Sequence, residues 1–239
     1  MSEVRKFAVF DIDGTLIRWQ LYHALADQLV KLGHIDSSAF QSISEARMDW
    51  KRRERSDSFK LYETKLVKLY SKAMSQITPA QFDQAAEQVF EEYKDQVYTY
   101  TRQLIKKLRT KGYLLFAISG SQVELISKIA DYYGFDDFVG TQYVRRGGKF
   151  TGEVKAPLGK KDQVLKEMVK QHGASWAGSI GVGDSQGDIK MMSATERPIA
   201  FNPERELFEH AKAHGWPIVI ERKNMFYELE TKGESFVLA

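Results

Sequence analysis

The sequence predicts an α/β fold: a mostly parallel sheet flanked by helices, with an all-helical insert directly after the first strand. Three observations carry that prediction. Short apolar runs alternate with helical patterns along much of the chain. Several of those runs end in polar residues, as buried parallel strands do where they open into a site. Residues 17 to 98 break the alternation and read as helix after helix.

The first strand is Phe7-Ala8-Val9-Phe10, which leads into Asp11-Ile12-Asp13-Gly14-Thr15-Leu16. In the insert, Leu21/Leu25/Leu29/Leu32, Tyr62/Leu66/Leu69/Tyr70 and Phe82/Ala86/Val89/Phe90/Tyr93/Val97 recur at helical spacing. Thr78-Pro79-Ala80-Gln81 has the form of a capping box with proline at the first helical position. The expected organisation is a core domain of residues 1–16 and 99–239 and a helical cap of residues 17–98, the cap lying over the site end of the first strand. Leu104/Ile105/Leu108 marks a helix before the second strand, Tyr113 to Ile118, which ends at Ser119-Gly120. Leu125/Ile126/Ile129/Ala130/Tyr133 follows as another helix. Tyr143 to Gly152 reads as a β-hairpin turning at Gly147-Gly148. Val164/Leu165/Met168/Val169 precedes a third strand, Ser179 to Val182, ending at Gly183-Asp184. Pro198 to Phe201 and Pro217 to Ile220 are further strand candidates, and no pattern is assigned to residues 221–239.

Composition narrows the function. With 35 basic and 32 acidic residues the net charge is +3, too small an excess to argue for a nucleic-acid partner. The run Lys51-Arg52-Arg53-Glu54-Arg55 is read as a solvated helical face. The chain has no cysteine, which removes disulfides, thiolate catalysis and cysteine zinc sites. Met1 to Lys6 lacks the apolar region of a signal peptide, and no stretch approaches the ~20 apolar residues of a membrane span. A cytoplasmic location without membrane association is expected, and oligomeric state is left open.

The chemistry gathers at the strand ends. Asp11 and Asp13 are one residue apart, and like charges raise each other's pKa unless a cation lies between them. Mg²⁺, a hard cation preferring oxygen ligands, is the natural answer. The pair reads as a metal site, an acid/base pair, or both. A lone Asp after a strand is ordinarily a cap or turn residue. Here Ser119 ends the second strand, Asp184 the third, Asp188 follows one turn later, and Lys160 and Lys161 begin the preceding helix. Phosphoryl transfer to a carboxylate needs a nucleophile, a general acid/base, donors and positive charge on the phosphate oxygens, and a metal. These residues fill each place. Trp19 and Trp50 are read as core of the helical insert, and the scattered histidines show no metal spacing.

Asp11-Ile12-Asp13-Gly14-Thr15-Leu16, Ile118-Ser119-Gly120-Ser121, Lys161 and Gly183-Asp184-Ser185-Gln186-Gly187-Asp188 resemble, in order, the four motifs of the haloacid dehalogenase superfamily. The helical insert, Asn202-Pro203 and Gly215-Trp216-Pro217 are similar to its phosphoserine-phosphatase-like branch, subclass IB. The resemblance implies a Rossmann-like core with a C1-type cap, a phosphatase of small phosphorylated metabolites, and Mg²⁺ as cofactor. It implies Asp11 as the nucleophile that forms an aspartyl-phosphate, and Asp13 as general acid/base with its backbone carbonyl on the metal. It further implies Ser119, the Gly120 amide and Lys161 as phosphate ligands, Asp11 and Asp184 on the metal, and Asp188 supporting the metal or Lys161. Lys161 is chosen over Lys160 by its spacing to Leu165. Phosphoserine phosphatases carry a Glu for the substrate amine and a cap Arg for its carboxylate. The matching positions here are Gln20 and Leu66, so a substrate other than phosphoserine is expected, with Arg18 and Gln20 as candidate specificity residues. The same residues would serve phosphoryl transfer to a hydroxyl acceptor. A receiver domain that merely stays phosphorylated gathers similar groups, but the insert and Asp13 argue against it.

Overall fold

The computed structural model describes residues 4–52, 55, 57–232 and 235–238. Strand β1 (Lys6–Phe10) lies at the centre of a nine-stranded sheet. It pairs in parallel with β2 (Leu114–Gln122) on one side and β5 (Ser175–Gly183) on the other. Beyond β2 come β3 (Asp137–Arg146), parallel, and β4 (Lys149–Lys155), antiparallel. Beyond β5 come β6 (Arg197–Phe201) and β7 (Ile218–Arg222), both parallel, then β8 (Met225–Lys232) and β9 (Ser235–Leu238), both antiparallel. The parallel centre is as expected, and an antiparallel hairpin at each end makes the whole sheet mixed.

Alternation along β1 shows why its apolar run is continuous. Phe7 and Val9 pack in one core layer with Phe116, Leu165 and Met168, while Ala8 and Phe10 pack in the other with Leu115, Ile126 and Ile129. Helices therefore cover both faces: α5 (Thr99–Thr110), α6 (Val123–Tyr133), α7 (Lys161–His172), the short α8 (Ile189–Ser193) and α9 (Arg205–His214) follow the insert in chain order. The hairpin turns at Gly147 and Gly148, both at positive φ, as the sequence predicts. The first half of β3, parallel to β2, and the β8–β9 hairpin in residues 221–239 are additions that the pattern reading does not contain.

Between β1 and α5 lie four helices, α1 (Leu21–Lys31), α2 (Ser37–Arg52), α3 (Ser58–Ala73) and α4 (Pro79–Tyr93). Three of them carry the expected stripes. Helix α2 is the extra one; among its described side chains it buries Phe40, Ile43 and Ala46. Arg53 and Glu54 of the basic run lie outside the described residues. The capping box forms: the Gln81 amide donates to Thr78 Oγ1 (3.3 Å), and the Thr78 amide donates to Gln81 Oε1 (2.9 Å). Within this insert His23 is 2% exposed, its ring 4.7 Å from that of Tyr62 and 6.1 Å from that of Phe59. Burial, then the charge of Arg47, pushes its pKa down to about 3. Trp50 stacks on Tyr62, while Trp19 lies under the Lys51 ammonium.

The two ends of the insert are tied together. Ile17 bridges Val97, the Arg18 amide donates to the Gln96 carbonyl (2.8 Å), and the Tyr98 amide donates to the Leu16 carbonyl (2.9 Å). Buried Glu221 locks this stem to β7. It accepts from Arg18 Nη2 (2.5 Å) and from the amides of Thr99 (2.9 Å) and Tyr100 (2.8 Å), two donors at the start of α5 that have no helical partner. Glu221→Ala strands those donors beneath the stem. It is expected to cost about 2 kcal/mol, measured as a shift in the urea midpoint at constant slope. An unchanged midpoint would show that water replaces the carboxylate.

Candidate active site

Three adjacent strands, β2, β1 and β5, bring the polar residues together at their carboxyl ends. Asp11 leaves β1 with its amide donating to the Val182 carbonyl of β5 (2.9 Å), and it is 4% exposed. Lys161, the first residue of α7 and 5% exposed, donates from Nζ to Asp11 Oδ1 (2.7 Å) and to Asp188 Oδ1 (2.7 Å). Lys160 is the exposed residue before the helix, so the Leu165 spacing selects the buried lysine. The second oxygen of Asp188 accepts from the Ser185 amide (3.1 Å) and hydroxyl (2.9 Å). Asp11 Oδ2 has no donor among the described residues.

Asp13 occupies a different setting. Its Oδ2 accepts from the Ser119 hydroxyl (2.6 Å); its Oδ1 accepts from the Ser121 hydroxyl (3.0 Å) and the Leu21 amide (2.6 Å). Ser121 has no role in the sequence reading, although its place two residues after Ser119 is the signal that could have found it. Its Oγ also accepts from the Tyr22 amide (2.9 Å), so the first turn of α1 rests on the motif. The Gly120 carbonyl accepts from Thr141 (2.7 Å). Gly14 at φ +80° is required by close approach, because a Cβ there would lie 2.2 Å from Asp184 Oδ2.

Asp11, Asp184 and Asp188 place carboxylate oxygens within 4.8 Å of one another. Burial, then the charges of Asp188 and Asp13, raises the Asp11 pKa to about 7 against the lowering effect of Lys161. Burial, then Asp11 and Asp188, holds Asp184 well above the usual carboxylate range. Burial raises Asp13 too, opposed by its three donated hydrogen bonds. For Lys161 burial acts against the ammonium, and Asp11 and Asp188 outweigh it. One ammonium thus faces three crowded carboxylates, a donor set with the charge and the hard oxygens a divalent cation takes.

Not every candidate gathers here. The Arg18 guanidinium turns away to Glu221, the Val97 carbonyl (2.8 Å) and the Lys223 carbonyl (3.2 Å), because a buried carboxylate and the stem offer it a complete set of acceptors. Gln20 is the half-buried residue before α1 and makes no side-chain cap bond. His210 and His214 stack on each other on α9, apart from this set.

The haloacid dehalogenase-like hydrolase family model matches residues 8–193. The chain belongs to that family. This haloacid dehalogenase-like hydrolase is similar over most of its length to phosphatases. It is 24% identical over 225 residues to a histidinol-phosphatase of Neisseria meningitidis serogroup C, covering 90% of this chain and 99% of that protein. It is 24% identical over 231 residues to a phosphoserine phosphatase of Methanocaldococcus jannaschii, covering 94% and 96%. A solved phosphoserine phosphatase, described as a phospho-aspartyl intermediate analogue, shares its fold with a TM-score of 0.64 at 21% identity, covering 93% of this chain and 96% of that one. The hydrolase therefore stands in the phosphoserine-phosphatase-like branch of the family's phosphatases. No helix of the described residues is long and apolar enough to cross a membrane.

Proposed function

We propose that this protein hydrolyses a small phosphomonoester through an aspartyl-phosphate on Asp11. The observation that carries the reading is the division of labour between the two aspartates. Lys161 holds one oxygen of Asp11 and leaves Oδ2 free, while Ser119, Ser121 and the Leu21 amide hold Asp13 apart. Asp11 Oδ2 attacks phosphorus as the P–O bond to the leaving alcohol breaks. Asp13, whose raised pKa favours a held proton, gives that proton to the departing oxygen. It then takes one from the water that attacks the aspartyl-phosphate, releasing inorganic phosphate and freeing Asp11. The Ser119 hydroxyl, the Gly120 amide and Lys161 would bind phosphoryl oxygens, a reading supported by the hydrogen bond of Ser119 to Asp13 and the ion pair of Lys161 with Asp11.

Mg²⁺ would be held by the Asp11, Asp184 and Asp188 carboxylates, and when bound it would offset negative charge between carboxylate and phosphate. Asp188 also steadies Lys161. Residues 17–98 would serve as a cap that excludes water and chooses substrates, a reading supported by the hydrogen bonds of the first turn of α1 to Asp13 and Ser121. Gln20 and Leu66, standing in place of the Glu and Arg of phosphoserine phosphatases, favour a substrate other than phosphoserine. The test is p-nitrophenyl phosphate turnover. Activity with Mg²⁺, loss with chelator and recovery on adding Mg²⁺ back are expected; no turnover of this ester or of alkyl phosphates under any metal condition would overturn the reading.

A further inference from the structure

The start of the insert is hydrogen-bonded to the core in an unusual way. Gln20, the residue before α1, gives that helix no side-chain cap, and the amides of its first turn need acceptors from outside the helix. Two residues of the core supply them. The Leu21 amide donates to Asp13 Oδ1 (2.6 Å), and the Tyr22 amide donates to Ser121 Oγ (2.9 Å). Asp13 and Ser121 therefore do for α1 what an N-cap side chain does elsewhere, and the positive end of the helix lies on the Asp13 carboxylate.

These contacts fix the direction of the hydroxyl protons. A serine hydroxyl has one proton to donate. The Tyr22 amide takes a lone pair of Ser121 Oγ, and the Ser121 proton goes to Asp13 Oδ1 (3.0 Å). Ser119 repeats the pattern: its Oγ accepts from the Ser121 amide (2.9 Å), and its proton goes to Asp13 Oδ2 (2.6 Å). Ser119, Ser121 and Asp13 are all buried, which leaves water little room to compete for these bonds. The two carboxylate oxygens are not equivalent. Oδ1 accepts two donors, which fills its acceptor sites, whereas Oδ2 accepts one.

We propose that Ser121 is a positioning residue for proton transfer: with the Leu21 amide it fills Oδ1, so that the proton Asp13 gives and takes is carried on Oδ2. The inference rests on the phosphatase reading and adds to it the working oxygen and the residue that selects it. In the first step the bond from Asp11 Oδ2 to phosphorus forms as the P–O bond to the leaving alcohol breaks. The proton passes from Asp13 Oδ2 to the departing oxygen, so the alcohol leaves neutral. In the second step a water oxygen bonds to phosphorus as the bond to Asp11 Oδ2 breaks, and a proton of that water returns to Asp13 Oδ2. Without the Ser121 hydroxyl, Oδ1 has an acceptor site open, the Tyr22 amide loses its partner, and the proton divides between the two oxygens.

The experiment measures kcat/KM for p-nitrophenyl, phenyl and ethyl phosphate, whose leaving groups are increasingly basic and depend increasingly on a donated proton. This constant covers the steps up to loss of the alcohol, so it reads Asp13 as acid separately from the later hydrolysis. Ser121→Ala is expected to cost about threefold with p-nitrophenyl phosphate and about thirtyfold with ethyl phosphate, part of the roughly 10²–10⁴ that a general acid contributes. A fault of folding alone would lower all three alike. In an Asp13→Asn background there is no proton to place, so Ser121→Ala is expected to cost the same factor with p-nitrophenyl and phenyl phosphate. Thermal midpoints check folding, and Ser121→Gly, which removes the same hydroxyl, replaces Ser121→Ala if that variant does not fold. No loss, an equal loss with all three esters, or a loss that still grows with leaving-group basicity in the Asp13→Asn background overturns the inference, while wild-type turnover leaves the phosphatase reading standing. A wild type that hydrolyses none of the esters overturns both.

Discussion

Asp11→Asn is expected to lower p-nitrophenyl phosphate turnover by about four orders of magnitude, the scale of losing a nucleophile. The substitution is nearly isosteric, so the fold is retained. Lys161 donates to Oδ1 and needs an acceptor there, which orients the new amide with its oxygen on Lys161. The nitrogen then occupies the place of Oδ2, and an amide nitrogen neither attacks phosphorus nor leaves as a carboxylate. A second readout separates this from loss of phosphate binding. Wild-type protein quenched during turnover should yield an acyl-phosphate that hydroxylamine converts to a hydroxamate at Asp11, and the variant should yield none. Turnover above about one hundredth of wild type by purified Asp11→Asn protein would assign the nucleophile elsewhere.

Acidification is expected to weaken the fold through His23. Its folded pKa is about 3 and its unfolded value about 6.5. Between those values the unfolded chain binds a proton that the folded chain refuses, so stability rises with pH across that window and falls on acidification. At about 1.4 kcal/mol per pH unit, moving from pH 7 to 4.5 removes about 3 kcal/mol through this residue. His23→Phe keeps a ring among Tyr62, Phe59 and Trp50 and abolishes the proton site, including the buried, unpartnered Nδ1. Urea denaturation of both proteins at pH 7 and pH 4.5 makes the comparison. The wild type should lose about 3 kcal/mol more than the variant; equal losses would assign acid sensitivity to the carboxylates alone.

The core of the fold was legible because burial on both faces leaves a plain mark. Phe7 to Phe10 had to be apolar throughout, since its alternate residues enter two different core layers. The gathering of Asp11, Asp13, Ser119, Lys161, Asp184 and Asp188 was legible for a topological reason: parallel strands put all their carboxyl ends on one side. Strands β8 and β9 were not legible, because Phe226-Tyr227-Glu228-Leu229-Glu230 lies towards a sheet edge where polar and apolar residues mix, and the turn from β7 into β8 uses Lys223 at positive φ rather than a glycine. The pairing of Arg18 with Glu221 was not legible, because the two lie 203 residues apart and no local pattern reports such a contact. Ser121 was hidden for a simpler cause: a hydroxyl at a strand end reads the same in sequence whether it faces solvent or, as here, the Asp13 carboxylate.

The paired stem at Leu16–Arg18 and Gln96–Tyr98 has a consequence for how this architecture diversifies. To the sheet, everything between those paired backbones is one closed loop whose ends are already in contact. Loop-closure entropy grows only with the logarithm of length, so doubling such a loop adds about 0.6 kcal/mol. Helices can be lengthened, exchanged or added inside the stem at little cost to the strands that position Asp11 and Asp13. The residues at the strand ends and those of the insert can thus accumulate substitutions largely independently, apart from contacts such as those of Leu21 and Tyr22 with Asp13 and Ser121 and of Asp83 with Arg145.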